Sequence, residues 1–448
     1  MTMVSAVFHY KVSLMKILFM HPNMPGQYKH LCRAYADNPE HTVVFITKPK
    51  NFDIPGVHKV EYRMQREPSP QTHRYIVGIE RGLLQGQEVW RMCKKLRDEE
   101  GFVPDVVCTH PGWGDALYIK DIFPHARVLS FFEFYYRSHG ADVSFDPAEQ
   151  ADDDDAARVR TKNIINLLSL ESADWGISPT VWQHSLHPLE FQPKISVLHD
   201  GIDTQMAKPD PSATLELNGH VFKAGDEVVT YIARNFEPYR GFPTFMRAAE
   251  IILRERPNCQ IIAVGADEVS YGKRLGKDET WRRIMSQQVK LDESRIHWPG
   301  TVSYTNLIKL FQISAAHIYL TYPFVLSWSS MEAMACGCAM VGSRTQPVQE
   351  VMQHEQNALL ADFFSAEDVA AQVIRILESP DKMNDMRRAA RQTILDHYDI
   401  KDLLPLHMSL INDLAAGHVP PPTHPTMMAR HAHVPNGVLY DATQRFVA

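Results

Sequence analysis

Two arginines and one glutamate in the second half of the chain could bind a negatively charged ligand that also carries vicinal hydroxyl groups. Arg234 and Arg240 bracket a loop after the predicted strand 228–233, and Glu332 follows the predicted strand 317–320. Two guanidinium groups at a strand end suit a diphosphate, because each neutralises charge and donates paired hydrogen bonds. A glutamate there can accept hydrogen bonds from two vicinal hydroxyls, as a ribose presents. Surface salt bridges and helix-dipole complementarity are the alternative interpretations.

The glutamate belongs to a strand–loop–helix–strand unit in residues 319–342. A short apolar strand leads into a turn-like loop, and a helix is predicted to begin near Ser329 and to stop at Gly337, before a second strand at 338–341. In a parallel α/β sheet, ligands lie at the carboxyl ends of strands and against helix N-termini. Glu332 is therefore predicted to lie in the first turn of this helix and to face a crevice.

The first half of the chain has polar residues of its own at predicted strand ends. The strand 17–21 is followed by a loop with Gly26 and Gln27, in which the glycine either lets a ligand approach the backbone or simply forms a turn. His110 and Glu133 follow two further strands, where α/β folds bind ligands. A hydrogen bond within its own loop is the alternative for His110. Because the segment around Glu133 is aromatic, its carboxylate needs a partner or a role.

The alternation of predicted strands and helices along the chain predicts an α/β protein with two Rossmann-like domains that face each other across a cleft. The predicted boundaries are 15–203 for the first domain, 204–227 for an irregular linker, 228–396 for the second domain, 397–416 for a C-terminal helix and 417–448 for a Pro- and His-rich tail. Further predicted strands lie at 42–47, 106–109, 127–132, 175–178, 195–198 and 260–264, and predicted helices at 74–99, 156–172, 243–254, 281–290, 304–313, 381–396 and 403–415.

Composition argues against several classes of function. The net charge of -7 over 448 residues gives no reason to expect nucleic acid as a partner. Apolar runs are shorter than the roughly 20 residues of a transmembrane helix, and no polybasic run indicates a membrane surface. The six cysteines lie mostly in apolar segments typical of reduced core residues. The close pair Cys336 and Cys338 lacks a second pair at zinc-site spacing, so no metal site is predicted.

The two ends of the chain and one acidic run allow three further predictions. Residues 1–14 lack the regions of a signal peptide and residues 15–20 resemble a natural first strand, so translation is expected to begin at Met15. The histidines of the tail have no fixed spacing, which favours disorder or surface packing over metal binding. The acidic run at 152–155 is favoured as a helix start over a metal site.

Residues 228–360 resemble the donor-binding domain of glycosyltransferase family 4, which has the GT-B fold. The family pattern is roughly G-R-x4-K-G, followed later by E-G-F-G-L-P-x-L-E-A-M-A-x-G-x-P-V-V. This chain has A-R at 233–234, R-G at 240–241 and F-V-L-S-W-S-S-M-E-A-M-A-C-G-C-A-M-V at 324–341. The first half agrees with the family in layout more than in motif.

The resemblance implies a retaining transferase that takes a nucleotide-diphosphate sugar and requires no cofactor. It implies that Arg234 and Arg240 bind the diphosphate and stabilise the leaving group, with arginine replacing the family's lysine. It also implies that Glu332, the second glutamate of E-x7-E, binds the ribose. The other donor-side candidates are Phe324, Val325, Leu326, Ser327, Ser329 and Gly300. His110 and Glu133 join the two arginines as catalytic candidates, and Gly26 and Gln27 are assigned to an acceptor-side loop.

The departures from the family pattern fall on the sugar side of the predicted site. Phe324 stands where the family has its first glutamate, which contacts the donor sugar, and Val325 and Ser327 replace glycines. Family members often carry a histidine where Glu133 falls. We therefore expect that sugar recognition is altered or that activity is lost.

Three functions remain open from the sequence. The first is a glycosyltransferase that extends a glycan, such as a surface polysaccharide. The second is a GT-B binding or scaffold protein without turnover, and the third is a GT-B-type nucleotide-sugar epimerase. A cytoplasmic location is expected. The sequence leaves open a lipid-linked acceptor and peripheral contact with the inner face of the membrane.

Overall fold

The computed structural model describes residues 14–217 and 219–420. The expectations for residues 1–13 and for nearly all of the tail lie outside the described residues. Within the described ranges, no helix is long and apolar enough to cross a membrane.

The first half forms one seven-stranded parallel sheet. Its strands are β1 (Lys16–Met20), β2 (Thr42–Thr47), β3 (Val57–Glu61), β4 (Val106–Thr109), β5 (Arg127–Phe131), β6 (Trp175–Ser178) and β7 (Ile195–Val197), in the order β3-β2-β1-β4-β5-β6-β7. Its helices are α1 (Lys29–Ala36), α2 (Val77–Glu100), α3 (Ile119–Ile122), α4 (Asp153–Lys162), α5 (Ile164–Ser172) and α6 (Val181–Ser185). The central strands are continuous apolar runs because helices cover both faces of the sheet.

The second half repeats the architecture after an antiparallel hairpin. The hairpin is β8 (Thr214–Leu217) and β9 (His220–Lys223). Six parallel strands follow, β10 (Val228–Asn235), β11 (Gln260–Ala266), β12 (Ile296–Gly300), β13 (Ala316–Tyr319), β14 (Met340–Ser343) and β15 (Leu359–Ala361), in the order β12-β11-β10-β13-β14-β15. The helices are α7 (Phe242–Glu255), α8 (Trp281–Ser286), α9 (Tyr304–Ile313), α10 (Trp328–Ala335), α11 (Gln346–Gln349), α12 (Ala366–Glu378), α13 (Asn384–His397) and α14 (Ile400–Ala415). The prediction of two α/β units is confirmed.

Strand order creates a crevice in each sheet. In the first sheet the chain leaves β1 toward β2 and returns to add β4 on its other side, and β10 and β13 have the same relation in the second sheet. The loops after such neighbouring strands run in opposite directions and leave room for a ligand at the carboxyl edge. The loops that carry Gln27, His110, Arg240 and Ser327 all follow these four strands.

Two secondary-structure predictions were wrong because of side-chain contacts and turn chemistry. The predicted helix 156–172 is interrupted at Asn163, whose side chain accepts from the Tyr136 amide and donates to the Tyr136 carbonyl. The stretch 204–227 is not an irregular linker, because it contains the β8–β9 hairpin with Gly219 at φ +82° in its turn. The sequence carries an Asn-Gly pair at 218–219, which is a strong hairpin signal.

Other predicted bounds around the second half also shifted. The helix predicted at 281–290 is shorter, and the strand predicted at 338–341 begins two residues later. Helix α10 begins at Trp328, so Glu332 lies in its second turn and not in the first. The cause is Ser327, whose hydroxyl accepts from the Ser329 amide and caps the helix two residues before the predicted start.

The two halves are joined by contacts as well as by the chain. Helix α14 returns to the first sheet, where Ile411 and Leu414 are buried and the Tyr35 hydroxyl donates to Asn412 Oδ1 at 2.8 Å. Glu350, in the second half, accepts from the amides of Val181 and Trp182 at 2.8 Å each, at the start of α6. These contacts hold the carboxyl edges of the two sheets against a common cleft.

Candidate functional site

A cleft of about 1130 Å³ lies between the carboxyl edges of the two sheets. This volume is at the upper end for a small-molecule pocket and leaves room for two ligands. The structure brings together along it the predicted residues Gly26, Gln27, His110, Glu133, Arg234, Arg240, Phe324, Val325, Leu326, Ser327, Ser329 and Glu332. Their roles stay predictions.

Gly300 is the predicted site residue that does not line the cleft. It ends β12 with φ +69°. The next two residues, Thr301 and Val302, line the cleft instead. The prediction chose the turn glycine, whereas the chain reaches the cleft only after the turn.

Arg240 is anchored at the crevice between β10 and β13. Its Nη1 donates to the Thr321 hydroxyl at 2.8 Å and to the Val325 carbonyl at 3.2 Å, and it lies 3.4 Å from the Tyr319 hydroxyl. The guanidinium carbon lies 5.5 Å from the centre of the Tyr271 ring. No carboxylate of the described residues forms an ion pair with Arg240, so these neutral contacts fix the group and leave it able to bind an anion.

Arg234, unlike Arg240, is not held by polar contacts with the neighbouring side chains that the structure describes. It is exposed at the end of β10 and lines the same cleft. Within the described ranges it has neither a hydrogen-bond nor an ion-pair partner. An anion positioned by the fixed guanidinium of Arg240 could also be bound by the unpaired guanidinium of Arg234.

Glu332 faces the cleft from α10 and has a tyrosine partner. The Tyr304 hydroxyl donates to Glu332 Oε1 at 2.9 Å. Lys29, from the first half, lies with Nζ 5.9 Å from the centre of the Tyr304 ring. Burial raises the pKa of Glu332, and the Tyr304 hydrogen bond and the Lys29 charge offset part of that rise. The other carboxylate oxygen has no partner among the described residues and can accept from a ligand hydroxyl.

The loop before α10 presents backbone and hydroxyl groups to the cleft. The Ser327 amide donates to the Tyr319 hydroxyl at 2.8 Å, and the Ser327 and Ser329 hydroxyls lie 2.7 Å apart. Arg240 holds this loop through the Val325 carbonyl. The loop is therefore fixed by the same arginine that is predicted to bind the diphosphate.

Phe324 is part of an aromatic contact between the two halves. Its ring centre lies 4.6 Å from that of Phe134 in the first half and 4.9 Å from that of Tyr271 in the second. Only 6% of the residue is exposed. Phe324, which the sequence resemblance aligned with a family glutamate, thus packs between aromatic rings of both halves.

Glu133 and His110 form a pair on the opposite wall. His110 Nε2 lies 3.4 Å from Glu133 Oε2, and Gln27 Nε2 lies 3.5 Å from Glu133 Oε1. Burial would raise the pKa of Glu133, but the His110 hydrogen bond and the charges of His110, Arg234 and Arg240 outweigh it and lower that pKa. The pair thus presents a carboxylate that faces both arginines across the cleft, with a histidine next to it.

Gly26 is required by its backbone and by a neighbouring ring. Its φ is +51°, and a Cβ there would lie 2.8 Å from the His21 ring. His21 follows β1, and its Nδ1 accepts from the Asn23 amide at 2.9 Å. Burial, with the nearby His110, lowers the pKa of His21 to about 3, so this imidazole is neutral at pH 7. The sequence left open a turn glycine or a backbone approach, and the structure favours the turn, packed against His21.

Gly26→Ala is expected to destabilise the protein by about 2–4 kcal/mol, because the positive φ and the clash with His21 act together. Gly101→Ala is a matched control, since Gly101 has φ +63° but no atom within 4 Å of an added Cβ. It should cost only about 1 kcal/mol. Chemical denaturation of both variants measures the difference, and equal costs would contradict the His21 packing.

Sequence reasoning missed several cleft residues. Tyr304 begins the helix after β12 and His21 directly follows β1, so both obey the rule that strand ends face the ligand. Tyr271 gave no such signal, because its place in the cleft depends on packing against Tyr239 and Phe324, which come from other loops of the second half. No group of three or more His, Cys, Asp or Glu side chains in the described ranges could hold a metal ion.

Comparisons with known proteins assign both halves of the chain to related family models. Residues 39–207 match the model described as "Glycosyl transferase family 4 group", and residues 215–393 match "Glycosyl transferases group 1". A D-inositol 3-phosphate glycosyltransferase of Segniliparus rotundus is 20% identical over 196 residues, which is 44% of this chain and 42% of that protein. An N-acetyl-alpha-D-glucosaminyl L-malate synthase of Bacillus anthracis is 24% identical over 109 residues, 24% of this chain and 29% of that protein. The matched part spans less than half of either curated relative.

Solved structures share the fold over nearly the whole chain. A sucrose-phosphate synthase from Thermosynechococcus elongatus superposes with a TM-score of 0.70 at 17% identity and covers 90% of this chain and 100% of its own. HepE of Anabaena, in complex with UDP and glucose, gives 0.61 at 14% identity over 88% of this chain and 99% of its own. At these identities the comparison shows the fold alone, and it confirms the GT-B architecture that the sequence predicted.

Proposed function

We propose, from the premise that the chain belongs to the group 1 glycosyltransferases, that it transfers a sugar from a nucleotide-diphosphate sugar to a hydroxyl acceptor with retention of configuration. One observation carries the proposal. Arg234, Arg240 and Glu332 meet at the carboxyl edge of the second sheet, and Glu133 and His110 face them from the first.

The roles of these residues follow from their contacts. The diphosphate would lie between Arg240, which is fixed, and Arg234, which has no partner in the described part of the chain. Charge develops on the diphosphate as the glycosidic bond breaks, and two guanidinium groups in a partly enclosed cleft stabilise it there. The ribose hydroxyls would donate to Glu332, and the UDP held by HepE fits a nucleotide donor of this kind.

The acceptor side of the reaction would lie against the first sheet. Because the lowered pKa of Glu133 keeps it ionised, the carboxylate can stabilise positive charge on the reacting sugar. His110 and Gln27 position this carboxylate.

A second candidate function is nucleotide-sugar binding without turnover. Phe324 favours it, because the side chain at the sugar position packs against Phe134 and offers no oxygen to a sugar hydroxyl. A surface-polysaccharide role, a lipid-linked acceptor, a cytoplasmic location and peripheral membrane contact belong to the proposal as expectations of the family resemblance.

Nucleotide release distinguishes these functions. The protein is incubated with UDP-, GDP- and ADP-sugars, with and without cell extract, and free nucleotide is measured. The proposal predicts release from one donor class, accelerated by extract. Tight nucleotide binding without release would favour the second candidate, and sugar interconversion without acceptor would indicate an epimerase.

A further inference from the structure

We propose that the first-half wall of the cleft, which carries Lys50, Lys162 and the indole of Trp113, binds an anionic acceptor, a sugar or polyol with a phosphate or carboxylate group. This inference rests on the proposed function and names the acceptor class for the same cleft.

The cleft is cationic although the chain as a whole is acidic. The net charge of the protein is -7. The described basic residues that line the cleft are Lys50, Arg74, Arg158, Lys162, Arg234 and Arg240, and the described acidic ones are Glu133 and Glu332. Positive charge is therefore concentrated where the ligands bind, which favours anionic ligands.

The donor accounts for only part of this charge. Arg234 and Arg240 stand on the second-half wall, where the diphosphate is proposed to bind. Lys50 and Lys162 stand on the first-half wall, after β2 and at the end of α4. The positive charge of the first-half wall therefore favours a second anionic ligand, distinct from the donor.

Two of the cations on the first-half wall are already paired. Arg74 contacts the Asp154 carboxylate, and Arg158 Nη2 lies 3.3 Å from Asp155 Oδ1. Neither aspartate lines the cleft. These pairs leave the two lysines as the cations of this wall without an ion-pair partner among the residues that the structure describes.

The position of Lys162 is held by an aromatic ring. Its Nζ lies 3.4 Å from the centre of the Tyr136 ring, and Tyr136 also lines the cleft. The Tyr136 amide donates to the Asn163 side chain, and the same side chain donates to the Tyr136 carbonyl. The ammonium group makes no ion pair with the described residues. Burial lowers its pKa to about 8 and the charge of Asp142 opposes that fall, so the group is still charged at pH 7 and can bind an anion.

Trp113 supplies an apolar face on the same wall. Its side chain is 48% exposed, although a large aromatic group gains most when buried. The loop that carries it packs closely against α2, because Gly114 has φ +88° and a Cβ there would lie 2.5 Å from the Gly82 carbonyl oxygen. An exposed indole in a cleft suits the apolar face of a sugar or polyol ring.

The acceptor class can be tested without identifying the compound. Small-molecule and lipid extracts of cells are passed over an anion exchanger at neutral pH, and each fraction is assayed with the full-length protein and labelled donor. The proposal predicts transfer to the retained fraction, and transfer to the unretained fraction alone overturns it. Loss of acceptor after phosphatase treatment assigns a phosphate, and partition of the labelled product into organic solvent assigns a lipid head group; either source supports the proposal.

The double variant Lys50→Gln/Lys162→Gln tests the assigned residues. We expect its KM for the retained fraction to rise about tenfold or more, while its affinity for the nucleotide, measured by titration, stays within about twofold of wild type. Lys382→Gln, an exposed lysine outside the cleft, is the matched control and should change neither value. An unchanged KM in the double variant overturns the assignment. No nucleotide release with any donor and fraction overturns the proposed function and this inference with it.

Discussion

Arg234→Met is expected to lower kcat/KM for sugar transfer by about 100- to 1000-fold, the loss that follows removal of one preorganised group that stabilises developing negative charge. Arg234 suits this test because it is exposed and bonds to none of the residues that the structure describes, so its loss should leave the fold intact. Steady-state kinetics with the preferred donor, together with a thermal melt, separates catalysis from stability.

Arg63→Met is the matched control, because Arg63 is exposed and does not line the cleft. Its kinetics and melting temperature should match wild type. If Arg234→Met kept more than about a third of the wild-type kcat/KM, the diphosphate would not lie at Arg234. Arg240 is a poorer probe, since its removal would also release the loop that it holds through the Val325 carbonyl.

Glu332→Ala is expected to weaken nucleotide binding by about 1–3 kcal/mol, a roughly 5- to 150-fold rise in Kd, because a carboxylate that accepts from the ribose hydroxyls would be lost. Calorimetric titration with the preferred nucleotide measures the change. Since burial raises the pKa of Glu332, wild-type binding should also weaken as the pH falls through that pKa, and this dependence should disappear in the variant.

Glu293→Ala is the control for charge, because Glu293 is exposed and outside the cleft. Its affinity for the nucleotide should be that of wild type. An unchanged Kd for Glu332→Ala would remove this residue from the ribose site and leave its hydrogen bond with Tyr304 as its only role.

The sequence was sufficient to predict the buried strands and to identify the strand ends that face the cleft. The bounds of β2, β4 and β6 are those predicted, because a strand buried on both faces is a continuous apolar run. Strand β3 was missed because it is an edge strand with half-buried, charged positions. Ligands bind at the carboxyl ends of parallel strands, and this rule correctly predicted that Arg240, His110 and Glu332 line one cleft.

Contacts between the halves could not be read from the sequence. The aromatic partners of Phe324 come from separate segments, so only the packed fold shows that this side chain joins the two halves through ring contacts. Beside Glu133, at the position where a family histidine was expected, the neighbouring strand end places His110, with Nε2 3.4 Å from Glu133 Oε2. A motif comparison identifies positions that differ from the family pattern, whereas the folded structure shows which side chains surround those positions.

The most direct test is a crystal structure of the protein with the nucleotide that most raises its melting temperature in a panel of UDP, GDP and ADP. We predict that the diphosphate lies within hydrogen-bond distance of both Arg234 and Arg240, with the ribose hydroxyls on Glu332. A nucleotide bound outside this cleft, or inside it with its diphosphate away from both arginines, would contradict the assignment of the donor site.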